Sequence, residues 1–296
     1  MNVDDVRDLL EADAEELPVP DRVAYLFFLS RPRFWLYLAG PVLVGLAYGA
    51  GSLGALFSPL SVALFLYFLL PGNVMLYGIN DVFDSDVDEY NPKKDSKEVR
   101  YGGDRVVLAV IAVSTLVGIG FVPFLPTVGV LWLAAYYFLA IQYSAPPLRF
   151  KTKPLLDSLS NGLYIVPGVI AYVAVTGVQP PVLAIAGAWL WTMAMHTFSA
   201  IPDIGADRDA GIRTTATVLG EGRTLVYCGV VWAASAVVLG ALSPAWGALM
   251  LLYPALVLGY AALDVDIDRA YWYYPLINTG VGMVITMVGL WRLVFG

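Results

Sequence analysis

Cysteine is almost missing from this 296-residue chain, which holds a single one, Cys228. Neither an internal disulfide nor a thiolate metal site can therefore form, and Cys228, inside an apolar run, reads as packing. Charge is scarce as well. Charged residues make up 14% of the chain and hydrophobic residues 59%, the balance of a polytopic membrane protein. The start of the chain lacks the basic opening and apolar stretch of a signal peptide. Residues 1–22 are instead polar and acidic, with Asp4, Asp5, Asp8, Glu11, Asp13, Glu15 and Glu16 among interspersed leucines. They are expected to form an interfacial helix or a solvated tail on the cytoplasmic side, ahead of a single domain over 23–296.

What is present is apolar length. Hydropathy places nine spans near 34–54, 58–79, 105–123, 126–143, 156–176, 181–200, 223–241, 245–263 and 273–294. Each is long enough to cross a hydrocarbon core of ~30 Å as a helix. Four connections, near 55–57, 124–125, 177–180 and 242–244, carry no charge at all. With the N-terminus inside, the remaining segments collect on one side. With the span ends that adjoin them, they hold sixteen of the seventeen Lys and Arg residues, Arg292 being the exception, and all 24 acids. The positive-inside rule puts that side in the cytoplasm of a multi-pass cell-membrane protein. An acidic, lysine-poor cytoplasmic surface, with a net charge of −7, suits a high-salt cytoplasm.

Two acidic clusters end two of these spans. The first reads Asn80-Asp81-Val82-Phe83-Asp84-Ser85-Asp86-Val87-Asp88, and the second Asp203-Ile204-Gly205-Ala206-Asp207. Asn80, Asp84 and Asp88 recur every four residues and share a helical face, with Asp81 beside it. Asn73 and Tyr77 continue that face roughly 10 Å deeper, at ~1.5 Å per residue. Asp203 and Asp207 repeat the spacing, with His196 seven residues deeper and a bend expected at Pro202. Carboxylates beside a hydrocarbon core are costly and mark functional sites. The plain alternative for either cluster is a solvated helix end. Two clusters on one side of the membrane favour a shared cation, and oxygen-only ligands suit Mg²⁺ bridging to a substrate phosphate, with Mn²⁺ as its substitute.

Cations near the clusters would contact phosphate oxygens: Lys93 and Lys94, Arg149 and Lys151, Arg208 and Arg213. Positive-inside anchoring is the competing reading for each. The offset from Asn80 to Asp203 is 123 residues (203 − 80), close to four spans with their loops. A duplicated four-helix unit with an appended ninth span would face the two clusters across a central cavity. Asp264, Asp266 and Asp268 alternate rather than share a helical face, and read as a solvated turn.

These motifs resemble those of the UbiA superfamily of intramembrane prenyltransferases, over nearly the whole chain. The first cluster is similar to its N-D-x-x-D-x-x-x-D motif, and Asp203, Asp207, Gly211 and Thr214 to its D-x-x-x-D…G-x-x-T motif. Tyr143-Ser144-Ala145-Pro146-Pro147-Leu148-Arg149-Phe150-Lys151 resembles its Y-S-x-P-P-x-R-x-K segment. The resemblance implies an all-α bundle of nine transmembrane helices around a central cavity. It also implies a Mg²⁺-diphosphate site built from Asn80, Asp81, Asp84, Asp88, Asp203 and Asp207, and an allylic diphosphate donor. Substrate would be held by Asn73, Tyr77, Lys93, Lys94, Tyr143, Arg149, Lys151 and Arg208.

Asn91-Pro92-Lys93-Lys94 and the run from Met195 to Asp203 are more similar to the carotenoid-elongating members of haloarchaea and actinobacteria. Those imply dimethylallyl diphosphate as donor and lycopene as the lipophilic acceptor. A geranylgeranylglyceryl phosphate, a quinone precursor or a porphyrin stays open as acceptor, and so does a transporter of cations or organic phosphates. Membrane lipids are expected partners; nucleic acid is not. For a carotenoid acceptor, the aromatic faces of Tyr136, Tyr137, Tyr164, Trp189 and Trp191 would stabilise a carbocation. His196 would then be the base or water-holder that quenches it.

Overall fold

The computed structural model describes residues 19–88 and 105–296, and side chains for all of these except 19–22 and 84–88. The described residues form helices, turns and loops, with no strand among them. The α-helices of five or more residues begin with α1 (Val19–Leu29), α2 (Trp35–Gly49), α3 (Pro59–Leu69), α4 (Pro71–Asp88), α5 (Arg105–Ile119) and α6 (Thr127–Ser144). Then come α7 (Val166–Thr176), α8 (Val182–Ser199), α9 (Ile204–Asp209), α10 (Thr215–Leu219) and α11 (Glu221–Leu242). Finally α12 (Pro244–Met250), α13 (Leu252–Leu263), α14 (Ile267–Tyr271) and α15 (Tyr274–Phe295) complete the chain.

Eight helical stretches among the described residues are long and apolar enough to cross a membrane. They correspond to the second to ninth expected spans. The first, expected over 34–54, holds one long helix, the 15 residues of α2, between a 3-10 turn at Pro32–Phe34 and a separate short helix at Leu53–Leu56. At ~1.5 Å per residue such a helix covers about 22 Å, short of a ~30 Å core. The outer faces carry bare aliphatics such as Val237, Leu258 and Leu276, each more than 70% exposed. Water would not tolerate so much of this surface, whereas lipid does.

Proline and small polar residues set the helix ends. Ser58 caps α3, accepting from the Ser61 amide at 3.2 Å, with Pro59 at the first helical position. Pro71 has no amide hydrogen, so the chain breaks between α3 and α4 at Leu70. Asn73 mends that break: its side-chain amide donates to the carbonyls of Phe68 at 2.8 Å and Leu69 at 3.0 Å.

The buried side chains divide into two main clusters. One gathers Leu38, Phe68, Tyr136 and Ile170 from α2, α3, α6 and α7. The other is aromatic, with Trp232 stacked on Tyr253 at 5.2 Å and on Tyr274 at 5.9 Å, and Phe198 against Tyr274 at 4.4 Å. Beside the first cluster, α2 meets α7 in backbone contact. A Cβ on Gly45 would fall 2.1 Å from the Gly168 carbonyl oxygen, and one on Gly168 would fall 2.5 Å from that of Pro41. Small residues allow such an approach between membrane helices. Gly168 follows Gly45 by 123 residues (168 − 45), the same offset that separates Asn80 from Asp203. A duplicated unit of that length would place the two glycines at equivalent points.

Gly45→Val tests the crossing. With backbone on the opposing side, the valine cannot be accommodated by a rotamer change. The variant should lose at least about 1–3 kcal/mol, read as a lower thermal midpoint of the detergent-solubilised protein. An unchanged midpoint would mean that the two backbones are not in contact.

Candidate active site

A cavity of about 1130 Å³ is lined from both buried clusters. One end of it gathers Asn80, Asp203, Asp207, Lys151 and Arg31. The segments arrive there for local reasons. Pro202 lacks an amide hydrogen, so α8 stops at Ser199, a 3-10 turn covers Ile201–Asp203, and α9 starts afresh at Ile204. Asp203 and Asp207 thus do not sit on one unbroken helix, as their spacing suggested, yet both reach the cavity. His196 lines the same cavity one element earlier.

On α4, Asn80 faces the cavity, and its side-chain oxygen accepts from the Ser144 hydroxyl at 2.6 Å. A carbonyl oxygen keeps a second lone pair for another partner. Asp81 points elsewhere. It is 1% exposed and its carboxylate is paired with Arg31 at 2.6 Å. Asp84 and Asp88 continue α4, but their side chains lie outside the described residues, as do Lys93 and Lys94 entirely. Among the described residues, no three carboxylates, histidines or cysteines come together as a metal cluster. Asn80, Asp203 and Asp207 offer oxygen donors at one cavity end, a donor chemistry that fits Mg²⁺.

Two cations share that end. Lys151 follows α6 on the turn Phe150–Thr152. Burial pushes its ammonium down to about 8, against the pull of Asp207 and Asp81, which favour the charged form. Arg31 was not anticipated from the sequence. It sits in a left-handed conformation (φ 50°) between α1 and Pro32, and its guanidinium lies over the Tyr77 ring, 4.7 Å from the centroid. Tyr77 itself lines the cavity. The signal available was the Ser30-Arg31-Pro32-Arg33 run just before the first span, which charge counting alone treats as a topology marker.

Three residues expected to hold substrate are not on the cavity wall. Asn73 is fully buried at the α3–α4 break. The Arg149 guanidinium donates to the Phe83 carbonyl at 3.1 Å, fastening the turn after α6 to α4. Arg208 donates to the Thr217 carbonyl at 2.8 Å, holding α9 to α10. Tyr143 does line the cavity, with its hydroxyl 2.8 Å from Nε2 of His196. Of the aromatics singled out, Tyr164 and Trp191 line the cavity. Tyr136 is buried in the first cluster, Tyr137 bonds Tyr67 at 2.8 Å, and the Trp189 ring N–H donates to the Leu159 carbonyl.

Asp157 is a further residue the motifs did not reveal. It is 2% exposed and accepts from the Thr215 amide at 2.7 Å and from the Thr215 hydroxyl. That joins the start of the 156–176 span to the first turn of α10, directly after the second acidic motif. Thr214, the last residue of that motif, caps α10 reciprocally with Thr217. The sequence signal was a lone acid, Asp157, at the edge of an apolar span.

Comparison with known proteins gives consistent matches. Residues 38–271 match the model of the UbiA prenyltransferase family. The lycopene elongase/hydratase of Haloferax volcanii is 63% identical over 276 residues, covering 93% of this chain and 92% of that one. The lycopene elongase/hydratase of Corynebacterium glutamicum is 34% identical over 242 residues, covering 76% and 80%. Among solved structures, a UbiA homolog from Archaeoglobus fulgidus bound to DMAPP and Mg²⁺ superposes with a TM-score of 0.66. It is 19% identical and covers 89% of this chain and 99% of that one, a likeness of fold.

The lowered Lys151 value sets a pH dependence. Because the ammonium loses its proton as pH rises through about 8, affinity for inorganic diphosphate should fall between pH 7 and pH 9. Lys151→Arg keeps its charge over that range and should flatten the profile. Calorimetric titration checks this; a wild-type affinity that is constant across the range would remove Lys151 from the diphosphate site.

Proposed function

This chain belongs to the UbiA prenyltransferase family, and we propose that it transfers a dimethylallyl group from dimethylallyl diphosphate to lycopene, with capture of water. The reaction takes place within the cell membrane, at a site opening to the cytoplasm. The observation that carries the reading is one cavity whose acidic and cationic end continues into a long interior of Tyr37, Tyr164, Tyr172 and Trp191. At about 1130 Å³ it exceeds the ~300–1,000 Å³ of ordinary small-molecule pockets, as a long chain requires. The high identity to the Haloferax volcanii lycopene elongase/hydratase supports the same acceptor.

In this reading Lys151 and Arg31 receive the diphosphate oxygens. Asn80, Asp84, Asp88, Asp203 and Asp207 would hold Mg²⁺, with Asp81 kept in place by Arg31. A Mg²⁺ ion held by these residues would supply positive charge against that which builds on the diphosphate as the allylic C–O bond breaks. The bond's electron pair leaves with the diphosphate. The terminal double bond of lycopene then forms the new C–C bond, and the resulting tertiary cation lies among aromatic faces that attract it. Water adds through its oxygen. Its surplus proton passes to the Tyr143 hydroxyl, and the tyrosine's own proton to Nε2 of His196, 2.8 Å away. The apolar walls keep bulk water from the cation until the acceptor has reacted.

Expression in a host that accumulates lycopene and supplies dimethylallyl diphosphate tests acceptor and site together. Carotenoids heavier by one or two five-carbon units should appear, and should be absent with Asp84→Ala or Asp207→Ala. Lycopene left unchanged by well-inserted protein would reject the carotenoid acceptor in favour of a lipid or quinone precursor. His196→Ala should slow formation of the hydroxylated product by roughly 10²-fold or more, the usual contribution of a general base. A variant that keeps both rate and product pattern would take that role from His196.

A further inference from the structure

The cavity continues well past the reacting end. Its far wall includes Tyr48, Ser243, Trp246, Thr286 and Arg292. On α15 the positions Asn278, Gly282, Thr286, Gly289 and Arg292 recur every three or four residues and form one stripe. All of them except Gly289 line the cavity. At ~1.5 Å per residue, Arg292 stands roughly 20 Å beyond Asn278 along the helix. Gly289 makes room for a neighbour: a Cβ there would come within 2.8 Å of the Tyr48 ring. That ring packs edge-on to Trp246 at 6.2 Å, with its hydroxyl donating to the Ile285 carbonyl at 3.2 Å.

Arg292 is out of place by two criteria. It is the one basic residue outside the segments and adjoining span ends that hold the other sixteen, and every acid of the sequence belongs to that same side. Although exposed in the last turn of α15, it lines the cavity's far wall beside Tyr48, Ser243 and Thr286, where a ligand or a lipid can take its donors. Snorkelling to a lipid phosphate is the rival explanation.

We propose that this far end is a subsite for a hydroxylated isoprenoid terminus, filled when an already modified chain re-enters the cavity the other way round. The inference rests on the reading above. Lycopene has two equivalent ends, and one turnover leaves a tertiary hydroxyl on the end that reacted. The second end can reach Asp203 and Asp207 only if the molecule is inverted, which carries the hydroxyl to the opposite end of the cavity. An apolar wall would strip that hydroxyl of water without replacement, at a cost. Here the Arg292 guanidinium donates to the hydroxyl oxygen, and the oxygens of Tyr48, Ser243 or Thr286 accept its proton. Hydrogen bonds from a charged donor are the stronger kind.

The test uses the full chain in lipid nanodiscs with lycopene, dimethylallyl diphosphate and Mg²⁺, following lycopene, singly modified and doubly modified products over time. In Arg292→Leu the second addition should slow about tenfold relative to the first, the size of one hydrogen bond to a charged group, so the singly modified product accumulates. Arg292→Gln, which keeps donors, should recover most of the second addition. A product ratio equal to that of the wild type would overturn the subsite. So would an equal slowing of both additions, which points to a lipid anchor. Wild-type protein that consumes no lycopene would overturn the acceptor reading itself, and the subsite with it; wild-type turnover with an unchanged Arg292→Leu ratio would overturn the subsite alone.

Discussion

Negative charge at the edge of a hydrocarbon core is what the rest of this molecule is arranged around. A carboxylate is held there only if something positive or donor-rich stands against it. Asp81 has Arg31 at 2.6 Å, and Asp157 has the amide and hydroxyl of Thr215. Asp203 and Asp207 share their cavity end with Lys151 and Arg31. Each neutralising contact also fixes a segment, so the solution to the charge problem builds the site. Arg31 ties the entrance of the chain to α4, and Asp157 ties the 156–176 span to α10.

The same contacts explain why residues with the right chemistry differ in role. Lys151, Arg149 and Arg208 are all cations beside an acidic motif, and the sequence treats them alike. Lys151 lines the cavity, whereas Arg149 and Arg208 donate to the main-chain carbonyls of Phe83 and Thr217. The Thr217 carbonyl lies in the last turn of α10, where carbonyls need partners once the helix stops, whereas that of Phe83 lies within α4. These two arginines hold the frame in which the third cation faces the cavity.

The interior depends on backbone geometry as much as on side chains. Gly45 and Gly168 let α2 and α7 touch, and Gly289 lets Tyr48 lie against α15. Close approach at these points leaves free volume elsewhere, between the two buried clusters. The volume is lined by polar groups at both ends and by aromatic rings between them. Such a lining matches a long apolar molecule whose ends differ in chemistry from its middle.

The helical membrane architecture was legible in the sequence because apolar length and the uneven distribution of charge are one-dimensional properties. The acidic motifs stood out by their four-residue spacing, and Asn80, Asp203 and Asp207 do reach one cavity, although a 3-10 turn interrupts the second motif's helix. The Gly45–Gly168 contact between α2 and α7 had no comparable signal in the sequence. What the sequence left undecided are choices between equally polar residues. Asn73 serves a helix break and not the cavity, Tyr164 and Trp191 reach the cavity while Tyr136 does not, and Arg31 stands fifty residues before the carboxylate it neutralises. These depend on which helix faces lie together, and that is decided by packing between segments distant in the chain.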